Sequence, residues 1–169
     1  EWATETPSFD TSDDGYENEA QQKYIQNHMQ KVEDALFADG TDYRELMDIE
    51  SSAKYWLINE MTKNSDGYGT GSTYIYKKRD KDGITGKVYW GPVWDFDQGW
   101  DRVFNINDFT CGGEWVVPMF CDREEGGFVE EVQKQWQVLK QAMTELTREG
   151  GIIDRYYAET KASAEKDRQ

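Results

Sequence analysis

The chain has 169 residues, with 34 Asp and Glu against 19 Lys and Arg, so its formal net charge is −15. Such an acidic chain is a poor candidate for binding nucleic acid or anionic membranes, because both depend on Lys and Arg. The mean hydropathy is −0.93, and no apolar run approaches the ~20 residues that cross a bilayer. Aromatic residues make up 14% of the chain, which indicates a folded protein because disordered chains lack them.

The amino-terminal part differs in composition from the rest. Residues 1–19 are acidic, rich in Ser and Thr and without periodicity, which predicts an acidic arm or loop. Residues 20–169 form the predicted domain. Its first element is a long helix over residues 20–37, whose apolar side chains recur at helical spacing on one face. We expect this helix to end at Asp39 and Gly40.

A second helix is predicted over residues 48–63. Asp48 can accept a hydrogen bond from the first turn and so cap the helix. Glu60 and Asn64 continue one row of its apolar side, which places a carboxylate and an amide at the edge of the buried face. Polar groups in such a place need hydrogen-bond partners.

A β-hairpin is predicted next. Residues 72–77 and 87–90 are strand-like, and residues 80–86 between them are rich in turn formers. Asp80 and Asp82 resemble part of a calcium loop, but no Glu follows at the required position. We therefore interpret them as turn residues.

Two further helices are predicted, over residues 128–148 and 152–166, with Gly150 and Gly151 ending the first of them. The predicted fold class is therefore α+β, mostly helical with one β-hairpin.

The cysteines leave two alternatives open. Cys111 and Cys121 lie in a Gly-rich stretch and are either free thiols or, in an exported protein, a disulfide that closes a short loop. Together with His28, which is distant in sequence, they do not make a zinc site.

Two short polar segments stand at the ends of predicted elements. Residues 59–66 (NEMTKNSD) end the second helix, and residues 90–99 (WGPVWDFDQG) follow the second strand. Functional side chains often lie on such loops. The chain thus has a helix, a polar loop, a hairpin and then a second acidic motif, which is the order found in a protein-kinase C-lobe. In such a lobe, one carboxylate orients the acceptor hydroxyl and another binds Mg²⁺. Mg²⁺ prefers hard oxygen ligands such as these.

These motifs carry a resemblance to a known family. Residues 52–66 (SAKYWLINEMTKNSD), 74–77 (YIYK) and 89–97 (YWGPVWDFD), in this order, resemble the CotH kinase family. This group of atypical, protein-kinase-like proteins is named after a spore-coat protein. Many members are exported bacterial proteins, and some are modules of cellulose-degrading assemblies.

The resemblance implies a protein-kinase-like C-lobe that transfers phosphate from ATP to hydroxyls of a protein substrate, with Mg²⁺ or Mn²⁺. It implies that Asp66 is the catalytic-loop aspartate and that Asp95 binds the metal and the nucleotide. Asn64 is a candidate for the metal and the nucleotide, and Asp97 is a candidate for the metal. It also implies a bacterial protein that is secreted or lies on the spore or cell surface.

Each singled-out residue also has a purely structural interpretation. Asp66 and Asp97 are candidate turn residues, Asn64 is a candidate helix C-cap, and Glu60 is a candidate surface charge. We expect the tryptophans of the second segment to form core and walls: Trp90, Trp94 and Trp100.

A kinase-like site also needs an N-terminal lobe whose Lys pairs with the nucleotide phosphates. Residues 1–19 have no strand pattern that could supply it, and we interpret the Gly-rich residues 67–72 as a substrate or lid loop. We therefore expect an upstream segment of the same precursor to carry the missing lobe. The face that bears Asp66 and Asp95 should then expose apolar surface to meet it, and this chain alone should be inactive.

Two other functional classes remain open. One is a non-catalytic, kinase-like interaction module of an extracellular assembly. The other is a carbohydrate-binding or carbohydrate-active protein, because carboxylates flanked by Trp and Tyr suit sugar rings. The hairpin between the two acidic motifs favours the kinase-like interpretation.

Overall fold

A computed structural model describes residues 19–38, 40–67, 72–100 and 115–167. The elements in these ranges are α1 (Glu19–Phe37), α2 (Tyr43–Leu46), α3 (Ile49–Thr62), β1 (Ile75–Lys77), β2 (Val88–Trp90), α4 (Val116–Cys121), α5 (Phe128–Thr147) and α6 (Ile152–Asp167). The described chain is thus mostly helical with a small antiparallel sheet, which confirms the predicted class. It divides into two units, Glu1–Val132 and Gln133–Gln169.

The four long helices lie where the sequence predicts them, within two residues at each end. In α3 the predicted cap is confirmed, since the Asp48 side chain accepts a hydrogen bond from the backbone N–H of Ser51 at 2.8 Å. The acidic arm stays a prediction, because residues 1–18 lie outside the described residues, as does Asp39. Cys111 also lies outside them, so its pairing with the exposed Cys121 stays open.

The hairpin is present but shorter than predicted. Ile75 pairs with Trp90 and Lys77 with Val88, so each strand has three residues. Asp80 belongs to the turn, where its side chain accepts a hydrogen bond from the backbone N–H of Gly86 at 2.8 Å. Hydrogen bonds from Lys77 and from Tyr24 of α1 lower the pKa of Asp80, so the turn is also tied to α1. The interpretation as a turn is confirmed.

The first unit has a core to which five elements contribute. α1 contacts α2 and α4, and α3 contacts β2. The fully buried apolar side chains include Val32 of α1, Tyr43 of α2, Ala53 of α3, Val88 of β2 and Met119 of α4. The sequence predicted neither α2 nor α4, although each contributes a buried side chain to this core.

In the second unit, α6 buries none of its described side chains. The turn before it contains Gly150, whose φ of +67° favours glycine, and this confirms the predicted end of α5. Among the described residues no helix is long and apolar enough to cross a membrane.

Candidate active site

The first part of the site forms where α3 ends. Lys63 has a left-handed backbone conformation, with φ of 54°, and its N–H donates to carbonyls of the last helical turn. The N–H of Asn64 then bonds the carbonyl of Asn59 at 3.0 Å. This is the usual way in which a helix reverses direction at its C-terminus. The reversal carries the chain directly into the turn that holds Ser65 and Asp66.

Two buried asparagines pack against this turn on its protein side. Asn59 is 1% exposed and Asn64 is 0% exposed. Asn59 donates from Nδ2 to the carbonyl of Tyr55 at 2.9 Å, and its Oδ1 accepts a hydrogen bond from Asn64 Nδ2 at 3.2 Å. Gly67 lies against both side chains, because a Cβ added there would stand 2.0 Å from Asn59 Oδ1 and 2.6 Å from Asn64 Nδ2. The turn therefore leaves no room for a side chain at position 67.

The second part of the site follows β2. Gly91 donates its N–H to the carbonyl of Tyr74 at 2.9 Å, which extends the hairpin by one bond. Residues 95–100, which we call the acidic segment, come next. Asn64 Nδ2 donates to the backbone carbonyl of Asp95 at 3.2 Å, so the end of α3 contacts the start of the acidic segment. Asp95 has φ of 54°, a conformation that Asp adopts more readily than most residues.

The two parts meet in an open pocket of about 330 Å³. The described residues that line it are Ser65, Asp66, Asp95, Asp97 and Gln98. The structure thus brings together three of the four predicted site residues, although the hairpin separates them in sequence. One oxygen of Asp66 accepts a hydrogen bond from the hydroxyl of Ser72 at 2.8 Å. None of the described lining residues is basic.

The carboxylates of the pocket suit a divalent cation that binds hard oxygen ligands. Mg²⁺ is commonly held by one or two carboxylates together with water and substrate phosphates. In the described parts of the chain, no three His, Cys, Asp or Glu side chains are arranged as a metal-binding group. The carboxylates of Asp66, Asp95 and Asp97 could each supply one oxygen ligand, with water or phosphate supplying the others.

The fourth predicted residue, Asn64, lies beneath the pocket and not among its lining residues. Its contacts are those of a residue that joins the two parts of the site. Glu60 is not among the lining residues either, and it forms an ion pair with Lys63. Sequence reasoning missed Asn59, although a polar residue on the buried side of α3 is itself a signal of a structural hydrogen bond.

The expectation for the tryptophans is correct for one residue only. Trp90 is buried, but Trp94 is 59% exposed and Trp100 is 64% exposed. β2 ends at Trp90, so the residues after it no longer alternate between a buried and an open face. Val93, two residues before Asp95, is also exposed. Residues 68–71 of the predicted lid loop lie outside the described residues.

A separate polar network involves none of the residues that line the pocket. The buried carboxylate of Asp122 accepts hydrogen bonds from the Tyr43 hydroxyl at 2.5 Å and from Arg44 Nε at 2.7 Å. Burial raises the pKa of Asp122, but the bonds from Arg44 and Tyr43 outweigh it and the net pKa is lowered. Burial, with the carboxylate of Asp122, raises the pKa of Tyr43. The network joins α2 to the turn before α5.

Comparison with known proteins agrees with the motifs of the site. A family model described as CotH kinase protein matches residues 1–169, the whole chain. No curated protein and no solved structure matches the chain. The motifs around Asp66 and Asp95 fall within the matched region, and the chain belongs to the CotH kinase family.

Proposed function

We propose that this chain is the C-terminal, kinase-like lobe of an atypical protein kinase that transfers phosphate from ATP to hydroxyls of a protein substrate. The observation that carries the proposal is the meeting of Asp66 and Asp95 in one pocket. They come from opposite sides of a hairpin, in the order that a kinase C-lobe uses for its base and its metal-binding aspartate. Membership of the CotH kinase family supports the same reaction class.

Asp95 and Asp97 are the proposed ligands of Mg²⁺ or Mn²⁺, which would neutralise charge on the phosphate oxygens of ATP. Both carboxylates are exposed in the pocket, where a bound nucleotide can supply the remaining oxygen ligands. The family resemblance also makes Asn64 a candidate ligand of this metal. Its burial and its bond to the Asp95 carbonyl support a role in positioning Asp95.

Asp66 is the proposed general base. In this role, Asp66 accepts the proton of the acceptor hydroxyl. At the same time, the hydroxyl oxygen bonds to the γ-phosphorus, and the bond between the γ-phosphorus and ADP breaks. The hydrogen bond from Ser72 restrains one carboxylate oxygen of Asp66 at the rim of the pocket. A restrained carboxylate is suited to orienting a hydroxyl, because fewer conformations compete with the reactive one.

The proposed partner of this lobe is a second lobe on an upstream segment of the same precursor. The transferred phosphate carries negative charge, and kinases pair it with a Lys as well as with metal. The described lining residues offer carboxylates, an amide and a hydroxyl but no such cation. The exposed side chain of Val93, two residues before Asp95, provides apolar surface for the contact. Export to the bacterial cell or spore surface is part of the proposal and rests on the family resemblance.

The experiment measures phosphate transfer from γ-labelled ATP by a protein that contains this chain and its upstream segment, with a mixed protein extract as acceptor. We expect transfer that requires Mg²⁺ or Mn²⁺, and a metal-dependent rise in melting temperature with ATP. The isolated chain should show little of either. Metal-dependent ATP binding without transfer would support a non-catalytic module. A melting shift with oligosaccharides and none with ATP would contradict the proposal.

A further inference from the structure

Trp100 closes the acidic segment with two hydrogen bonds to the end of α3. Its backbone N–H donates to the carbonyl of Thr62 at 2.8 Å, and its indole Nε1–H donates to the carbonyl of Met61 at 3.1 Å. Both acceptors belong to the last turn of a helix, where carbonyls have no partner within the helix. Trp100 thus caps α3 from a distant part of the chain.

The conformation of Trp100 indicates that these bonds hold it in place. Its φ is 59°, and a positive φ is an outlier for a bulky residue. This conformation costs free energy and persists only where other contacts offset that cost. Trp100 is 64% exposed, so burial contributes little to holding it. The neighbouring Gly99 also lies close to α3, since a Cβ added there would stand 3.4 Å from the carbonyl oxygen of Thr62.

Both ends of the acidic segment are therefore hydrogen-bonded to residues at the C-terminal end of α3. At the start, the carbonyl of Asp95 accepts the hydrogen bond from Asn64. At the finish, Trp100 bonds the last turn of α3. Between these attachments lie Asp97 and Gln98, which line the pocket.

We infer that Trp100 is a positioning residue that holds Asp97 and Gln98 in the pocket through its bonds to Met61 and Thr62. The inference rests on the proposed function for what the pocket binds, but the attachment itself is independent of that function. Residues that orient metal ligands affect metal affinity although they do not touch the metal. Without the indole bond, the segment should spend more time in conformations that do not bind, which lowers the apparent affinity.

The experiment compares Trp100→Phe with Trp94→Phe. Phenylalanine keeps an aromatic ring but lacks the indole N–H. Trp94 is a matched control, because it is similarly exposed and contacts Tyr74 through its ring. Amide hydrogen exchange is measured on the 169-residue chain. In Trp100→Phe, the amides of residues 99 and 100 should exchange about 2- to 10-fold faster, as expected for the loss of one hydrogen bond. In Trp94→Phe, and at amides within α1, exchange should stay at the wild-type rate.

The second measurement is the binding of Mn²⁺ alone, by titration of the same variants and of Asp95→Asn. We expect Trp100→Phe to bind Mn²⁺ more weakly than Trp94→Phe and the wild type. Unchanged exchange in Trp100→Phe would overturn the attachment, and faster exchange with unchanged Mn²⁺ affinity would overturn the positioning role. If the wild type bound Mn²⁺ no better than Asp95→Asn, the proposed metal site would fail. Faster exchange would in that case still uphold the attachment of Trp100 to α3.

Discussion

The side chain of Asn64 donates a hydrogen bond to the backbone carbonyl of Asp95 at 3.2 Å. One residue ends a helix and the other follows a strand, so this bond joins the two elements that supply the carboxylates of the pocket. Asn64 is fully buried, and a buried amide is held in place because breaking its hydrogen bonds carries a desolvation cost. The distance between the proposed base and the proposed metal ligand therefore depends on a residue beneath the pocket.

The first prediction concerns Asp95. In a protein that contains this chain and the proposed upstream lobe, Asp95→Asn should weaken metal-dependent ATP binding by at least about 10-fold, since even residues that only orient metal ligands contribute 10- to 100-fold. Asp82→Asn is the matched control, because Asp82 is also an exposed Asp with φ of 54°. Calorimetric titration with ATP and Mn²⁺ measures the effect. Equal affinities for the two variants would show that Asp95 does not bind the metal.

The second prediction concerns Asp66. Asp66→Asn should lower the rate of phosphate transfer by about 10²- to 10⁴-fold, the usual contribution of a general base, and should leave ATP affinity near the wild-type value. Ser72→Ala removes only the hydrogen bond to Asp66, so its rate should fall by a smaller factor, about 2- to 10-fold. Single-turnover rates and ATP affinities are measured side by side. A loss of ATP affinity in Asp66→Asn would place this carboxylate in the metal shell instead.

The long elements of the fold could be predicted because their signals are local. α1 and α3 show helical spacing of apolar residues, and the hairpin turn shows its Asp and Gly. By contrast, α2 and α4 have only four and six residues, too few for periodicity to appear. They are held by contacts that are distant in sequence, as the bond between Tyr43 and Asp122 illustrates.

The candidate site could be predicted only in part, because some of its residues show a local sequence signal and others are placed by contacts distant in sequence. The order of motifs along the chain indicated Asp66, Asp95 and Asp97, and all three line the pocket. The direction in which the Asn64 side chain points could not be predicted, because it depends on the left-handed backbone conformation of Lys63. Nor did any sequence signal indicate that Gln98 would line the pocket, since this depends on how the acidic segment folds back onto α3.

The third prediction concerns Gly67, which has no room for a methyl group. Its Cβ would overlap the side chains of Asn59 and Asn64. Gly67→Ala should therefore lower the free energy of unfolding by about 1–3 kcal/mol, as overpacking does. Gly40→Ala is the control, because a Cβ at Gly40 meets nothing within 4 Å. Urea unfolding measures both, and equal stabilities of the two variants would contradict the tight packing of the two asparagines.

The network of Tyr43, Arg44 and Asp122 should make stability depend on pH. Burial alone would raise the pKa of Asp122, but the hydrogen bonds from Arg44 and Tyr43 together outweigh it and hold that pKa below its ordinary value in the folded protein. A carboxyl group with a lowered pKa contributes its stabilisation above the pKa of the unfolded chain, about 3.9. As the pH falls through the folded pKa, the group becomes protonated in the folded state as well, and this contribution is lost.

The fourth prediction follows from the lowered pKa of Asp122. At pH 7, Asp122→Asn should lower the free energy of unfolding by about 1.5–3 kcal/mol, the range for hydrogen bonds to a charged group. The difference from the wild type should narrow as the pH falls below about 4, where the carboxyl group of the unfolded chain gains a proton, and should close once the folded group is protonated too. Glu50→Gln is the control, because the pair of Glu50 with Lys54 is more than half exposed and should contribute no more than about 0.5 kcal/mol. Urea unfolding at a series of pH values measures both variants, and a difference for Asp122→Asn that stayed constant down to acid pH would show that its charge does not stabilise the fold.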